Sequence, residues 1–198
     1  MRIAGGRAAP SGGIVFLAAV ACLVIAAVAE PIEEFTVGPG MVGEFASVMM
    51  GSGLGARAHL LGGYSVYLSQ VLDGHLIYHV YNNSWTDGVK LPEPRQLAAA
   101  AALGSNIVMA GGLYASAYGA CLDTAISLDT ANASAEWVPQ PSLPYVVYAL
   151  GVVAISETRV LAIGGMCGAS YHDEVFEVSI STPPLMCNAR HHRPFFTA

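Results

Sequence analysis

The chain has 198 residues, which suits one domain of ordinary size. Its residues are 54% hydrophobic and only 11% charged, and its formal net charge is −6. Because nucleic-acid binding requires a basic face, and no patch rich in Lys or Arg occurs, this composition argues against a nucleic-acid partner.

The first element along the chain is an apolar segment, residues 14–29, with the sequence IVFLAAVACLVIAAVA. Two arginines precede it, and it ends in the small-x-small triplet Ala27-Val28-Ala29. This pattern predicts a signal peptide over residues 1–29, with the mature chain beginning near Glu30. A membrane-spanning helix needs roughly 20 apolar residues, and this segment has only 16. A retained signal-anchor, which would make the protein a membrane-anchored ectodomain, is therefore the alternative rather than the first expectation. Without this segment, 8 − 2 = 6 basic and 14 acidic residues give a formal charge of −8.

The next segments read as short strands separated by turns. A glycine-broken stretch, GEFASVMMGSGLG, leads to ARAHLLGG, which ends at Gly63. After a loop comes HLIYHVYNNSW, which ends at Trp85, and then the proline-rich corner KLPEPR. Apolar runs bounded by Gly, Pro and Asn predict four strands here, named A to D in chain order.

The same order of segments follows twice more. QLAAAAAL, SNIVMAGG and TAISLDTANASAEW precede a second proline corner, PQPSLP. YVVYALGVVAI, TRVLAIGG and DEVFEVSIST follow it, but no Trp comes after the third Gly-Gly pair. In the second group, the run of alanines at residues 97–103 has helical propensity, whereas its place in the order predicts a strand. We expect a strand, because tertiary context can override propensity.

Two independent spacings support an internal repeat. The glycine pairs end at Gly63, Gly112 and Gly165, which are 112 − 63 = 49 and 165 − 112 = 53 residues apart, and the tryptophans are 137 − 85 = 52 apart. Glycine turns the chain sharply at little steric cost, and an outer tryptophan can cover the gap between neighbouring units. The residues expected to define the repeat are Gly62, Gly63, Gly111, Gly112, Gly164, Gly165, Trp85 and Trp137.

This order of Gly-Gly, strand, Trp and proline corner resembles the kelch repeat, one blade of a β-propeller, whose period is near 50. The resemblance covers about residues 41–182 and implies an all-β fold, a partial kelch-type β-propeller of about three four-stranded blades within residues 30–182. Propellers typically have four to eight blades, so three blades would leave open edges through which the chain would self-associate. Residues 183–198 match no repeat and are expected to form an irregular tail, as in a fragment or an altered transcript end.

In a propeller the B–C loops lie together on one face. Here every B–C loop carries tyrosine, a residue enriched at interfaces. The candidate binding face therefore consists of Tyr64, Tyr67, Tyr114, Tyr118 and Tyr171. The alternative is that these tyrosines pack between blades.

Three cysteines remain beyond the signal segment, and an odd count implies one pair and one free or intermolecular thiol. The propeller resemblance puts Cys121 and Cys167 in B–C loops of neighbouring blades, so we expect them to form the disulfide. Asn82 and Asn132 begin N-glycosylation triplets, which fits a chain in the secretory pathway.

No residues form a recognisable catalytic, metal or cofactor set. His75 and His79 have the spacing of two zinc ligands on a helix, but on a strand they lie about 13 Å apart, too far for bonds of about 2.1 Å to one ion. The sequence therefore predicts a secreted or luminal, non-catalytic module that binds a protein or a glycan. The alternative is a fragment of a galactose-oxidase-like or carbohydrate-active propeller enzyme.

Overall fold

A computed structural model describes residues 43–116, 120–180 and 190–192 of the chain. Within these residues the fold is all-β. Three four-stranded antiparallel sheets follow one another along the chain, and two short hairpins project from them. The expected signal peptide, Tyr118 and Cys187 lie outside the described residues.

Each four-stranded sheet is built from strands in the order in which they occur in the chain. Sheet 1 contains β1 (Ala46–Met50), β2 (Arg57–Leu61), β5 (His75–His79) and β6 (Ser84–Asp87), with the hairpin of β3 (Tyr64–Ser65) and β4 (Gln70–Val71) between β2 and β5. Sheet 2 contains β7 (Ala99–Leu103), β8 (Asn106–Ala110), β9 (Ala125–Asp129) and β10 (Val138–Gln140). Sheet 3 contains β11 (Gly151–Ser156), β12 (Arg159–Ile163), β15 (Val175–Ser179) and β16 (Arg190–His192), with the hairpin of β13 (Met166–Cys167) and β14 (Ser170–Tyr171) between β12 and β15. A short 3-10 turn, Gly53–Gly55, joins β1 to β2.

The expected strand assignment of the alanine run is confirmed, because β7 spans Ala99–Leu103 and pairs with β8. The first strand of each sheet lies beside the first strand of the next, β1 beside β7 and β7 beside β11. We call these three the innermost strands. Small side chains suit this position, since the backbones of neighbouring sheets approach most closely there. Tertiary packing therefore overrides the helical propensity of alanine.

The register of pairing shows that the three sheets repeat residue by residue. Leu61, Ala110 and Ile163 each end the second strand of their sheet and pair with the first residue of the innermost strand. Residues two positions apart on these strands share a face, so sheet 2 presents one face to sheet 1 and the other to sheet 3.

Two apolar layers hold the three sheets together. The layer between sheets 1 and 2 contains Leu61, Ile107, Met109 and Trp137, and the layer between sheets 2 and 3 is centred on Val108, Ala110, Val160 and Phe176. The central sheet therefore has both faces covered, which explains why β8 reads as a continuous apolar run rather than an alternating one.

Equivalent residues differ in burial according to whether another sheet follows. Leu61 and Ala110 are 0% and 2% exposed, whereas Ile163 is 42% exposed. Val153 and Ile155, on the innermost strand of sheet 3, are exposed as well. We call the surface formed by Val153, Ile155, Leu161 and Ile163 the open face of sheet 3, because no sheet among the described residues packs on it.

The glycine pairs end the second strand of each sheet, and both members of every pair have positive φ. A Cβ on Gly62 would collide with the carbonyl oxygen of Arg95, and a Cβ on Gly111 would collide with that of Val147. Both carbonyls belong to the segment that leads into the following sheet. Gly62 and Gly111 are thus required by the close approach of the next sheet as well as by their positive φ, whereas Gly164 has no such close contact.

Backbone hydrogen bonds also link the sheets near the innermost strands. The amide of Leu97 donates to the carbonyl of Glu44, and the amide of Ala149 donates to the carbonyl of Leu97, both at 2.8 Å. All three residues have φ between 53° and 57°, a conformation that side chains other than glycine rarely adopt. The repeated backbone bonds stabilise this unusual conformation at equivalent positions.

The segment after residue 182 differs from its sequence-based interpretation as a wholly irregular tail. Its Arg190–His192 form β16 and pair with β15. Backbone hydrogen bonds to the edge of β15 do not depend on a Gly-Gly or Trp signature, which is why the repeat pattern does not predict this strand.

Candidate binding face

The three B–C loops lie at one end of the sheets. Each loop begins after a glycine pair, and an equivalent backbone hydrogen bond closes it. The amides of Leu72, Leu122 and His172 donate to the carbonyls of Gly63, Gly112 and Gly165, respectively, at 2.8–2.9 Å. Antiparallel meandering requires this arrangement, because the second strand ends where the third begins.

The first B–C loop is a hairpin with an apolar tip. Its residues Val66, Tyr67 and Leu68 are 66%, 89% and 63% exposed. The buried Ser65 hydroxyl accepts a hydrogen bond from the amide of Leu68 at 3.2 Å, and Ser69 has a φ of 52°. We call Val66–Leu68 the hairpin tip; its turn is ordered by its own polar groups while its apolar side chains face solvent.

The other two loops carry the remaining described tyrosines. Tyr114 is 54% exposed and Tyr171 is 78% exposed, whereas Tyr64 is half-buried at the base of the first hairpin. The exposure of Tyr67, Tyr114 and Tyr171 argues against packing between sheets as their role. The sequence pattern did not single out Val66 and Leu68, although an apolar triplet between two serines in a loop was a usable signal.

A disulfide joins the second and third loops. Cys121 and Cys167 are bonded with a Cα–Cα distance of 6.1 Å, so the predicted pairing is confirmed. Leu113 and Tyr148 are buried beside it. This covalent link fixes the position of the loop that carries Tyr114 relative to the loop that carries Tyr171.

Carboxylates surround this end of the sheets. Among the described residues, its two cations are both already paired, Lys90 with Asp73 and the buried Arg95 with Glu93. The carboxylates at this end are Glu44, Asp73, Asp87, Glu93, Asp123, Asp173 and Glu174. Seven carboxylates and two cations make the face acidic, and an acidic surface attracts basic ligands.

Arg95 organises the backbone beneath this face. Its guanidinium donates to the carbonyls of Gly111 and Thr124 at 3.2 and 3.1 Å, and to the Thr124 hydroxyl at 2.8 Å. Burial lowers the pKa of Arg95, and the carboxylate of Glu93 opposes that effect. Because the side chain is almost inaccessible to solvent, its role is to hold the end of sheet 2 together.

A smaller polar cluster lies at the same end of sheet 3. The rings of Tyr145 and His172 are stacked with centroids 3.5 Å apart, and the Tyr145 hydroxyl donates to Glu174 at 3.3 Å. Burial and the adjacent carboxylates of Glu174 and Asp173 raise the pKa of Tyr145. A neutral phenol that donates to a carboxylate stabilises the start of β15 but is a poor proton donor to a substrate.

Two buried histidines form the other unusual polar pair. His75 Nδ1 lies 3.1 Å from the carbonyl oxygen of Val89, which can only accept, so this nitrogen carries the hydrogen. His75 Nε2 is then an acceptor, and His59 Nδ1 donates to it at 2.9 Å. The Trp137 indole donates to the same Val89 carbonyl at 2.9 Å, which joins sheet 2 to sheet 1.

This histidine pair is a packing element between sheets. Burial is the main cause that lowers the pKa of both rings, and it lowers the pKa of His59 to about 4. The two candidate zinc ligands of the sequence pattern do not act together, because His79 instead contacts Thr86 at the sheet surface. The described residues contain no group of three or more His, Cys, Asp or Glu that could hold a metal ion.

The two glycosylation triplets lie at the opposite end of the sheets. Asn82 follows β5 and Asn132 follows β9, and both side chains are exposed in turns. Glycans attached there would leave the B–C loops accessible.

No helix within the described part of the chain is long and apolar enough to cross a membrane.

No protein-family model and no curated protein matches this chain. The geometry of the loops is therefore the basis for assigning a function.

Proposed function

We propose that this chain is a partial kelch-type β-propeller of three blades that acts as a non-catalytic binding module in the secretory pathway or outside the cell. The observation that carries the proposal is the exposure of Tyr67, Tyr114 and Tyr171 on loops at one end of the sheets. Large aromatic side chains with a polar tip are typical of binding surfaces, where few residues provide most of the affinity.

The repeat supports the propeller assignment. Three four-stranded meanders follow one another with equivalent registers, and their innermost strands lie side by side. The disulfide supports an oxidising compartment, because disulfides seldom persist in the cytosol. N-terminal sequencing of secreted material should find Glu30 or a neighbouring residue; finding Met1 instead would favour the membrane-anchored alternative.

The binding function is tested by offering immobilised protein, residues 30–198, an array of glycans and a panel of recombinant extracellular domains. We expect saturable binding of a protein or a glycan that is lost in a variant with Tyr67, Tyr114 and Tyr171 changed to Ser. The control is Tyr81→Ser, because Tyr81 is equally exposed but lies at the opposite end of the sheets.

The enzymatic alternative has its own measurement. The same protein is incubated with copper and galactose while hydrogen peroxide is measured, and with polysaccharides while released sugar is measured. Turnover in either assay, together with no saturable ligand, would replace the proposed function by the propeller-enzyme alternative.

A further inference from the structure

We propose that the hairpin tip, Val66–Leu68, is the anchor by which the chain binds a protein partner, and that it enters an apolar pocket bordered by Lys or Arg side chains. This inference rests on the proposed binding function and adds the anchor and the chemistry of the partner. It also assigns a role to two side chains, Val66 and Leu68, that the tyrosine pattern leaves out.

The shape of the tip favours a pocket rather than a flat surface. Three consecutive apolar side chains are all more than half exposed, although the turn that carries them is well defined. The amide of Leu68 is held by the Ser65 hydroxyl, and the Ser69 hydroxyl donates to the carbonyl of Val66 at 3.4 Å. A turn held by its own hydrogen bonds loses little conformational freedom on binding, which favours affinity.

The base of the hairpin adds to this rigidity. Tyr64 pairs with Val71, and Ser65 pairs with Gln70. The Leu72 amide then donates to the carbonyl of Gly63 at 2.8 Å, which ties the hairpin to the end of sheet 1. The tip therefore stands on a fixed support rather than on a mobile loop.

Charge identifies the surroundings of the pocket. Asp73 follows the hairpin and Lys90 follows the last strand of sheet 1. Their side chains form an ion pair at 3.4 Å. The carboxylates that remain at this end, beyond those paired with Lys90 and Arg95, are Glu44, Asp87, Asp123, Asp173 and Glu174. Basic side chains around the partner's pocket would complement this acidic end of the sheets, speed association and exclude acidic competitors.

The same charges argue against a lipid surface. Anionic membranes attract clusters of Lys and Arg, whereas the only described cations at this end are already paired with carboxylates. A protein pocket is also a better match than a glycan, because burying valine and leucine is favourable only against apolar surface.

The test uses a random peptide library displayed on phage as the probe and the disulfide-intact protein, residues 30–198, as the target. We expect the selected peptides to combine aromatic or aliphatic residues with Lys or Arg. Synthetic copies should bind at least about tenfold more weakly to a variant with Val66, Tyr67 and Leu68 changed to Ser, since central apolar anchors contribute most of the affinity. Binding to Tyr81→Ser should be unchanged.

Two further measurements separate the pocket from its rim. Raising the salt concentration, or changing the exposed Asp87 of sheet 1 to Asn, should weaken binding mainly through a slower association rate, because charges at the edge of an interface steer encounter. Melting temperatures of all variants are compared first. If the triple variant melts early, Tyr67→Ser and Leu68→Ser are measured singly, since both side chains are exposed and should not affect folding.

The outcomes distinguish the anchor from the general function. Peptides that bind equally well to the triple variant but need Tyr114 or Tyr171 would overturn the anchor and leave the binding function intact. Selected peptides that lack basic residues would overturn the proposed pocket chemistry. Tip-dependent binding to vesicles of phosphatidylcholine and phosphatidylserine, with no peptide selected, would replace the protein partner by a membrane. Failure of every peptide, protein and glycan to bind would reject both proposals.

Discussion

His59 donates a hydrogen bond from Nδ1 to Nε2 of His75 across 2.9 Å, at the buried boundary between sheets 1 and 2. The pair can accept one proton without losing this bond, on the outer nitrogen of His59. A second proton would place two N–H groups against each other, because His75 Nδ1 already donates to Val89. The boundary between the two sheets is therefore sensitive to acid.

We predict that the free energy of unfolding falls as the pH is lowered from about 6.5 to about 4. Burial lowers the folded-state pKa of His59 from its ordinary value of 6.5 to about 4, so the unfolded chain binds protons first. The stability that depends on a neutral His59 is complete above its unfolded pKa and is lost as the pH falls toward the folded pKa. The free energy of unfolding lost through His59 is about 3 kcal/mol, because one pKa unit corresponds to about 1.36 kcal/mol. The lowered pKa of His75 acts in the same direction.

This prediction is measured by urea unfolding at a series of pH values. The first variant is His59→Val, which removes the titrating group itself. Arg57 and His79, which also lower the pKa of His59, are left unchanged in it. Valine occupies the equivalent buried position in sheet 2, as Val108, and should reduce the pH dependence without abolishing it, because the buried His75 remains. The control His79→Gln removes a surface histidine and should retain most of it. A wild-type protein with equal stability at pH 7 and pH 5 would contradict the prediction.

The Cys121–Cys167 disulfide should contribute about 4 kcal/mol to stability. It closes a loop of 46 residues, and the chain-entropy relation gives about this value for such a length. We expect Cys121→Ser, or reduction of the wild type, to lower the melting temperature by about 10 °C, at about 2–4 °C per kcal/mol for a chain of this size. The variant Cys187→Ser should melt as the wild type does and should respond equally to reductant. Peptide mapping without reductant that paired Cys187 with Cys121 or Cys167 would contradict the bond.

The open face of sheet 3 should cause self-association. Val153 and Ile163 are exposed at positions whose counterparts are buried between the other sheets, and apolar surface of this kind associates in water. Light scattering should detect oligomers of the wild type and a monomer for Val153→Lys combined with Ile163→Lys, without loss of stability. The matched control is Leu61→Lys, the fully buried equivalent of Ile163, which should unfold the protein. A monodisperse wild-type monomer would show that the open face is harmless.

The first glycines of the three pairs should differ in their tolerance of alanine. Gly164→Ala should cost only about 1–2 kcal/mol for a side chain at positive φ, since the nearest atom to an added Cβ is 3.3 Å away. Gly62→Ala and Gly111→Ala should cost more than about 4 kcal/mol, because the added carbon meets the backbone of the next sheet and forces it to move. Chemical unfolding of the three variants measures the difference, and equal losses would mean that conformation alone selects these glycines.

The sequence determined the local parts of this fold. Gly-Gly pairs, apolar runs and proline corners specify strands and turns within a few residues, so the strand character of Ala99–Leu103 and the loop positions of Tyr67, Tyr114 and Tyr171 could be predicted. The disulfide could be predicted as well, because a fixed repeat places equivalent loops side by side and so brings Cys121 near Cys167.

Only the tertiary structure decided which side chains are buried and which groups meet across the chain. Leu61 and Ile163 occupy equivalent positions with similar side chains, yet one is inaccessible and the other exposed, since burial depends on whether another sheet packs there. His59 and His75 are 16 residues apart and meet through the register of β2 and β5, which no local pattern encodes. The pairing of Arg190–His192 with β15 likewise depends on backbone hydrogen-bonding groups. Every residue except proline carries both a donor and an acceptor, so the side chains do not reveal this pairing.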